Sequence, residues 1–547
     1  MKMSIYIIAI LLLFSCNEDK GNYDYENINT LSVSLDELYS FRLEKDTTVT
    51  ITPRLTQSLQ EDKNNLRYVW LHSTTNHNFY GHGSFDTVGI EENLRFHIDP
   101  EDKKLKYDHY FRLNVYDSLT GIEYPVNTTV KLVKPYDGCW MLLYEKQGLT
   151  GLGSIEYMGN SILRTEDAYR KETGKYLQGR PLCLGTVMAS CKYYGAGATW
   201  NMFSIITDDP REAGVYCQWK KFQKMDSLSR MVAPTVRGSF DYSDVKVIDG
   251  EATWGGLVLA GGVFYQTPGA MKIFKAPISA DLSGDMNIKF ATKVGFSSML
   301  YDEAGHRFCF YHNTNRASTY DHKDFSESTN NPASYRIMPV PFRDNNVTAV
   351  DANALPQGQK VYYLGAGYQF DPTYQRASYA YALAVEGTDS CFVYEFNMDG
   401  MVSTGDGYPA FSGYYRLKMP KGLNENSCFA STKSFSGILF YGAGNTIYRL
   451  DFKQSGGKAT PVYTHTGGNA VKMKFAKKTE INSNLDFTAY EFDPNRSLGI
   501  TFDMGGGLYD FVVLNLSEMG SVGSDSESYP AKQVYTGFGE IKDFIFL

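Results

Sequence analysis

Histidines are the residues of this chain whose spacing most readily suggests chemistry. His72, His77 and His82 recur every five residues in the stretch HSTTNHNFYGHG. Zinc needs three or four ligands that converge on a tetrahedron, and this spacing on a loop or hairpin does not place three imidazoles on one face. We therefore interpret the stretch as a solvated polar loop without a metal. The same interpretation applies to a second group of histidines in an aromatic-rich stretch, His306, His312 and His322.

Motifs for catalysis or phosphate binding are not evident in the sequence. Residues 397–407 (NMDGMVSTGDG) resemble a calcium loop but lack its alternating oxygen ligands and final glutamate, so a turn is expected. The Gly-Ala-Gly stretches are not followed by Gly-Lys-Ser/Thr and are not phosphate loops. A propeller-type hydrolase or lyase would use converging carboxylates, which the sequence cannot place. We predict a protein that is not an enzyme and has no cofactor, with the hydrolase or lyase as the alternative.

Aromatic side chains could instead bind a ligand without chemistry. Two insertions, residues 313–336 and 370–379, carry four tyrosines among polar residues: Tyr320, Tyr335, Tyr374 and Tyr379. Loops on a rigid scaffold commonly carry binding sites, and aromatic faces suit sugar rings or peptide side chains. These tyrosines are our predicted ligand contacts. The alternative is that they only pack their own loops.

Cys16 is predicted to carry a lipid. The ten residues before Ser15, Ile5 to Phe14, are nearly all apolar, which is too short a run for the roughly 20 residues of a membrane span. Residues 1–16 resemble a bacterial lipoprotein signal, whose cysteine becomes the lipidated N-terminus. An ordinary secretory signal is the alternative. Residues 17–30 are polar and predict a flexible tether. Their acidic residues resemble the export signal of surface lipoproteins in Bacteroidota, so we expect exposure on the outer membrane.

The remaining cysteines do not indicate a metal site. Seven cysteines follow Cys16 without metal-ligand spacing, and most are expected to be buried apolar residues. Cys183 and Cys191 are the pair expected to form a disulfide if any does, because their separation could join adjacent strands.

The net charge of -8 argues against nucleic acid as a partner, because its phosphates require a basic face.

Residues 31–134 predict a β-sandwich. Short stretches alternate between apolar and polar residues with a period of two and are separated by turn-rich segments, which is typical of half-buried strands. Trp70 lies in a middle strand and is expected to be the central packing residue. The strand Tyr110–Asp117, followed by Thr120-Gly121 and a closing strand, resembles the PKD-type immunoglobulin-like domain.

Residues 135–547 predict a β-propeller. An aromatic strand, a turn of small residues and a second aromatic strand recur, as at Tyr193–Gly197, Leu259–Gly262, Tyr363–Gly367, Phe440–Gly444 and Met504–Gly507. Such spacing favours repeated four-stranded sheets, about seven in all. We expect the glycines to form tight turns near the central channel. The final strand, Ile541–Phe546, is expected to complete a sheet begun just after Tyr136 and so to close the ring.

The opening CNEDKGNYDY at residues 16–25, together with the PKD-like domain, resembles the PKD-like family lipoproteins of Bacteroidota. The resemblance implies an accessory surface protein of a starch-utilisation-type uptake system, whose partners are a TonB-dependent transporter and its lid lipoprotein. It transfers no catalytic residue. The function we expect is binding of a nutrient oligosaccharide or peptide, or docking on the transporter. A purely structural scaffold is a further alternative.

Overall fold

The computed structural model describes residues 28–547 except for the segments 45–46, 76–84, 103, 159–160, 192–197, 219–220, 249–255, 267–273, 275–277, 280–281, 283, 295–296, 313–335, 342–349, 369–377, 399–409, 433, 477–492 and 526–529. Cys16 and most of the predicted tether therefore lie outside the described residues. The chain is all-β, with 59% strand and 3% helix. Among the described residues, no helix has the length and apolar character needed to cross a bilayer. The chain divides into two compact units, the first ending at Leu132 and the second beginning at Val133.

The first unit contains nine strands: β1 (Leu31–Ser34), β2 (Leu38–Arg42), β3 (Thr47–Ile51), β4 (Arg54–Gln57), β5 (Leu66–Ser73), β6 (Asp86–Gly89), β7 (Leu94–Ile98), β8 (Asp108–Asp117) and β9 (Ile122–Val133). Five of them form a sheet in the order β2-β9-β8-β5-β6, and the others pair as β1-β4 and β3-β7. Alternate residues of β3 and β8 are buried, as the period-two pattern predicts.

Trp70 lies at the centre of this unit. Its side chain is fully buried in a core that takes residues from the five-stranded sheet and from both strand pairs. The indole N–H donates to the backbone oxygen of Glu91 at 3.1 Å, which satisfies the one polar atom of the ring. The packing role predicted for Trp70 is confirmed.

The described residues of the second unit form seven sheets. Their strands, sheet by sheet, are β10 (Cys139–Lys146), β11 (Leu149–Tyr157) and β12 (Ile162–Thr165); β13 (Pro181–Cys191), β14 (Ala198–Thr207), β15 (Val215–Gln218) and β16 (Lys224–Ser227); β17 (Val245–Val247), β18 (Leu257–Ala260) and β19 (Val263–Gln266); β20 (Ile278–Ser279), β21 (Ile288–Val294), β22 (Ser297–Asp302), β23 (Arg307–His312) and β24 (Arg336–Pro339); β25 (Gln359–Tyr368), β26 (Ser378–Glu386), β27 (Ser390–Asn397) and β28 (Ala410–Lys418); β29 (Cys428–Ala430), β30 (Ile438–Ala443), β31 (Thr446–Asp451) and β32 (Lys458–Thr464); β33 (Asn469–Phe475), β34 (Ser497–Gly505), β35 (Leu508–Asn515) and β36 (Lys532–Tyr535). Short helices are α1 (Ala168–Thr173), α2 (Leu228–Met231) and a 3₁₀ turn (Pro494–Arg496).

The last strand of the chain, β37 (Glu540–Phe546), joins the first of these sheets. It runs antiparallel to β10, with Phe546 opposite Trp140 and Phe544 opposite Leu142. The first sheet therefore has the order β12-β11-β10-β37 and is built from both ends of the unit. This pairing was predicted from the closing phrase of the sequence and is confirmed.

Hydrophobic clusters connect each sheet to the next along the chain. The fifth and sixth sheets, for example, share a core that includes Leu383 and Leu439. The seventh sheet shares its second core with the first, where the Trp140 ring lies 5.6 Å from Phe511 and 5.8 Å from Phe544. Among the described residues, seven such clusters link the seven sheets in succession and return to the start.

The glycines of the recurring motifs do not all form the tight turns that were predicted. Gly262 and Gly507 have positive φ angles in turns between the second and third strands of their sheets, where glycine is favoured. Gly365 instead lies inside β25. A Cβ atom there would lie 1.8 Å from the hydroxyl oxygen of Tyr363, so the missing side chain makes room for that ring. The phrase at Tyr193–Gly197 lies outside the described residues.

The predicted Cys183–Cys191 bridge is wrong. Both residues lie on β13, where eight residues span about 26 Å at roughly 3.3 Å per residue, far beyond the reach of a disulfide. Cys183 is a buried free thiol whose Sγ lies 3.2 Å from the backbone oxygen of Val245. Five of the described cysteines are buried free thiols: Cys139, Cys183, Cys217, Cys309 and Cys391. Cys428 is a free thiol that is partly buried.

Candidate functional site

A cavity of about 290 Å³ lies where the edge strands of five sheets meet. These strands are β17, β21, β25, β29 and β33, each at one end of the strand order of its sheet. A sheet edge presents backbone rather than a packed side-chain face, so edges that converge leave space between them. Ligands of rigid scaffolds commonly bind in concavities of this kind.

Lysines dominate the charge of this cavity. Its described lining residues include Lys246, Lys289, Lys293 and Lys474 and no aspartate or glutamate. The acidic partners of Lys246 and Lys289 lie outside the described lining. Lys289 pairs with Glu303, and Lys246 Nζ lies 3.6 Å from an Asp244 oxygen.

Aromatic and hydroxyl groups supply the rest of the polar surface. The rings of Tyr363 and Phe429 stack with centroids 5.4 Å apart, and both residues line the cavity. The Tyr363 hydroxyl lies 2.7 Å from Ser431 Oγ, which in turn donates to the Ala366 carbonyl. Burial raises the pKa of Tyr363 to about 12, so this hydroxyl is neutral at physiological pH. The group can donate or accept a hydrogen bond, but it is a poor base.

Asp543 anchors the lysines on one side of the cavity. The side chain lies on β37 and is 2% exposed. One carboxylate oxygen lies 3.2 Å from Lys472 Nζ and 2.8 Å from Lys474 Nζ, and the other accepts the backbone N–H of Leu184 at 2.9 Å. Burial by itself would raise the pKa of Asp543, but the two ammonium groups prevail and lower it to about 2. One carboxylate therefore joins the first, second and seventh sheets.

The ammonium groups, hydroxyls and aromatic rings of the described lining can bind a polar ligand. Glycoside hydrolysis requires a pair of carboxyl groups about 5 to 9.5 Å apart, and the described lining offers none. General acid–base catalysis requires a group whose pKa lies near the working pH, which the Tyr363 hydroxyl does not provide. In the part of the chain that the structure describes, no group of three His, Cys, Asp or Glu residues could hold a metal ion.

Two wider clefts flank the ring of Tyr176, which is 42% exposed. Their volumes are about 660 and 570 Å³, and Tyr176 lines both. The guanidinium of Arg170, from α1, lies 4.3 Å from the centroid of the Tyr176 ring. Both clefts contain carboxylates as well as lysines, so their charge is mixed.

A Tyr–His–Asp chain of hydrogen bonds, centred on the buried His465, links the sixth and seventh sheets. The Tyr463 hydroxyl lies 2.8 Å from Nδ1 of His465, and Nε2 of the same ring lies 3.0 Å from an Asp510 oxygen. The imidazole stacks on Phe502 with a centroid distance of 4.4 Å and is 4% exposed as a residue. Burial raises the pKa of Tyr463, which keeps the hydroxyl protonated. With so little access to solvent, the chain of hydrogen bonds is placed to hold two sheets together.

Of the four predicted ligand-contact tyrosines, Tyr320, Tyr335 and Tyr374 lie outside the described residues. Tyr379 lies on β26 and is 6% exposed in the core between the fifth and sixth sheets. It is therefore not on an exposed loop, because the strand already begins at Ser378. Residues 399–407 of the calcium-like stretch are also outside the described part of the chain.

His72 lies inside strand β5, so the prediction that it belongs to a solvated loop is wrong. Nε2 of His72 lies 2.9 Å from Nδ1 of His109 on the adjacent strand β8. The His72 ring lies 4.7 Å from Phe96 and 4.8 Å from Phe111. Burial lowers the pKa of His72 to about 4, and His109 adds to the effect, so the pair is neutral at pH 7. His77 and His82 lie outside the described residues.

Sequence reasoning missed the lysines of the cavity. In β21 the sequence is IKFATKV, with two lysines four residues apart, and in β33 it includes VKMKF, with two lysines two residues apart. The other residues of both runs are mostly apolar. That pattern resembles an ordinary half-exposed strand. Only the meeting of β21 and β33 at one cavity distinguishes these lysines from solvated ones.

Comparison with solved structures finds distant likenesses. A quinoprotein alcohol dehydrogenase-like protein from Bacteroides thetaiotaomicron is 10% identical with a TM-score of 0.39, covering 93% of this chain and 96% of its own. A DUF4784 family protein from Bacteroides caccae is 11% identical with a TM-score of 0.33, covering 94% and 98%. A protein from Lactobacillus plantarum is 11% identical with a TM-score of 0.42, covering 75% and 99%. Likeness at this level carries no conclusion about activity.

The comparison with curated proteins finds no match. A family model does match part of the chain. The match begins at Cys16, spans the first unit and extends to Pro181 at the start of β13. Residues 16–181, less than half of the chain, thus match the PKD-like family.

Proposed function

We propose that the second unit is a β-propeller of seven blades, one for each sheet. Three features support this architecture: the strand β37 that completes the first sheet, the shared cores between consecutive sheets, and the core that joins the seventh sheet to the first. A ring closed in this way leaves only short, protected sheet edges and supplies a rigid scaffold around its axis. The cavity lined by edge strands then lies at the channel of the propeller.

We further propose that the protein is a lipoprotein held at the outer-membrane surface of a Bacteroidota cell through Cys16. The apolar run before this cysteine and the polar stretch after it support the proposal, as does a PKD-like family match that begins at the same residue. Mass spectrometry of the intact chain from a membrane fraction tests it. Diacyl or triacyl mass on a peptide that begins at Cys16 is expected, and a free thiol at that position in the mature protein would contradict it.

The function we propose is non-catalytic capture of a nutrient oligosaccharide or peptide in the central cavity, in support of a TonB-dependent transporter. One observation carries the proposal. Edge strands from five sheets line a single cavity with ammonium groups, hydroxyls and aromatic rings, and its described lining holds no carboxylate. Such a surface can fix a polar ligand, and its described residues include no carboxylate pair of the kind that glycoside hydrolases use.

Incubation with panels of oligosaccharides and peptides separates this function from its alternatives. Calorimetry detects binding, and chromatography of the same mixtures detects products. We expect binding with recovery of the intact ligand. Product formation would establish the hydrolase or lyase instead. Absence of binding, combined with co-purification of the transporter and its lid lipoprotein, would establish a docking or scaffold role.

A further inference from the structure

The central cavity has the opposite charge to the protein as a whole. The chain carries a formal net charge of -8, yet the charged residues in the described lining are all lysines. A cationic concavity in an anionic protein focuses its field on anionic ligands, which it attracts and concentrates.

Two of these lysines can exchange their present partners at little cost. The ion pair of Lys246 with Asp244 has side chains 62% and 54% exposed, and that of Lys289 with Glu303 has side chains 44% and 45% exposed. Ion pairs at such exposure contribute little to stability, because solvent screens them. An incoming anion that offers better geometry inside the cavity can therefore replace either carboxylate.

Lys474 has a different role, because it is bound to the buried Asp543 at 2.8 Å. The same carboxylate also accepts Lys472, so two ammonium groups share one negative charge at this side of the cavity. Asp543 thus holds Lys474 beside the cavity, whereas Lys246 and Lys289 are placed to contact an anion.

The aromatic rings of the cavity indicate the class of ligand to which the anionic group belongs. Phe290, Tyr363 and Phe429 line the same cavity, and the Lys289 ammonium lies 5.8 Å from the Phe290 ring centroid. A flat apolar face beside a cation matches a sugar ring that bears a carboxylate. The volume of about 290 Å³ is at the lower end for small-molecule sites, so one or two sugar units fit.

We propose that the cavity binds the end of an acidic saccharide, whose carboxylate contacts Lys246 and Lys289 while its ring packs on the aromatic side chains. This inference rests on the proposed function, since it names the ligand class of the same site. It excludes a neutral saccharide and an acidic peptide as the preferred ligand.

Calorimetry on the full mature chain tests the inference with four probes: digalacturonate, its neutral counterpart galactobiose, glutamyl-glutamate and inorganic phosphate. We expect digalacturonate to bind most tightly and its affinity to fall as salt rises from 50 to 500 mM, because ion pairs are screened. The K246Q/K289Q double variant should bind it at least about tenfold more weakly, as expected when charged hydrogen bonds are lost. The control variant K458Q, on the outer strand β32, should bind as the wild type does.

Each other result has a definite meaning. Equal binding of galactobiose, with no effect of K246Q/K289Q, would overturn the acidic ligand and leave capture of a saccharide standing. Tighter binding of glutamyl-glutamate or of phosphate would overturn the saccharide. Failure of all four probes would overturn the inference, and it would extend to the proposed function only if the wider panels also failed. A circular dichroism melt of K246Q/K289Q confirms that the variant is folded.

Discussion

The carboxylate of Asp543 lies 2.8 Å from the ammonium of Lys474, across the junction between the last strand of the chain and the seventh sheet. The other oxygen of the carboxylate binds the backbone of Leu184 in the second sheet. The chain therefore uses one buried acid to join three neighbouring sheets where its two ends meet. The same acid sets the charge at one side of the cavity.

Asp543→Asn is expected to destabilise the second unit by roughly 3 kcal/mol. Removing one partner of a buried ion pair typically costs about 3 to 5 kcal/mol, and the low end applies because Lys472 and Lys474 are partly exposed. Chemical denaturation of both proteins measures the difference. Glu212→Gln, which removes an exposed pair with Lys224, is the matched control and should change stability by less than about 1 kcal/mol. Equal stability of D543N and wild type would contradict the role of this acid.

The pH dependence of that effect follows from the lowered pKa of Asp543. The folded carboxyl group titrates near pH 2, whereas the unfolded one titrates near 3.8. Its stabilisation is thus complete above pH 3.8 and is lost as the pH falls through about 2. The stability difference between D543N and wild type should be constant from pH 7 to pH 5 and shrink below pH 3.8.

Phe544→Ala is expected to destabilise the second unit by about 3 to 5 kcal/mol, since the loss of this fully buried aromatic side chain leaves a cavity beside Trp140. The tryptophan fluorescence of the native state should also change. Leu508→Ala, at a side chain 62% exposed, is the control and should be neutral within about 0.5 kcal/mol. A chain that ends at Gly539, and so lacks β37, should not give a cooperative melt of the second unit. An unchanged melting temperature for this chain would refute closure by the last strand.

The first unit should lose stability in mild acid. Burial lowers the pKa of His72 to about 4, and burial also lowers that of His109, while nearby Asp86 acts weakly in the opposite direction on His72. The unfolded chain binds these protons near pH 6.5. Stability is therefore full above pH 6.5 and declines as the pH falls toward 4. Thermal melts of His72→Phe, whose ring fits between Phe96 and Phe111, should show a weaker decline than wild type. Identical pH profiles would contradict this assignment.

Native thiols should react slowly. Burial raises the pKa of Cys183 and Cys391 to about 12, so little thiolate exists at neutral pH. Alkylation with iodoacetamide followed by peptide mapping should label Cys183 and Cys391 only after unfolding. Cys428 is partly buried and should react before the five buried thiols. Rapid labelling of Cys183 in the folded chain would show that its pocket opens.

The period-two alternation made much of the fold predictable. Strands such as β3 and β8, the core position of Trp70 and the pairing of β37 with β10 all follow from residues close together in sequence or from a repeated phrase. The glycine phrases were less reliable, because one motif serves as a turn at Gly262 and as a close contact inside a strand at Gly365.

The cavity was not predictable, because its lysines come from strands far apart in the chain. Lys289 and Lys474 line one cavity only because the sheets are arranged around it, which a linear pattern does not encode. The sequence predicts a loop at Tyr379 because the polar residues before it resemble an insertion. The aromatic strand β26 begins at Ser378, directly after these residues, and its start is not evident from the composition.

We propose that this cavity, and not another surface, captures the ligand. Ala366 lines the cavity and is only partly buried, so Ala366→Phe places a ring in the space. Calorimetric titration of the tightest-binding saccharide or peptide of the panels into A366F and wild type, both checked for equal melting temperatures, tests the claim. Binding should fall at least about tenfold in A366F. Unchanged affinity in the folded variant would place the ligand elsewhere and contradict the account.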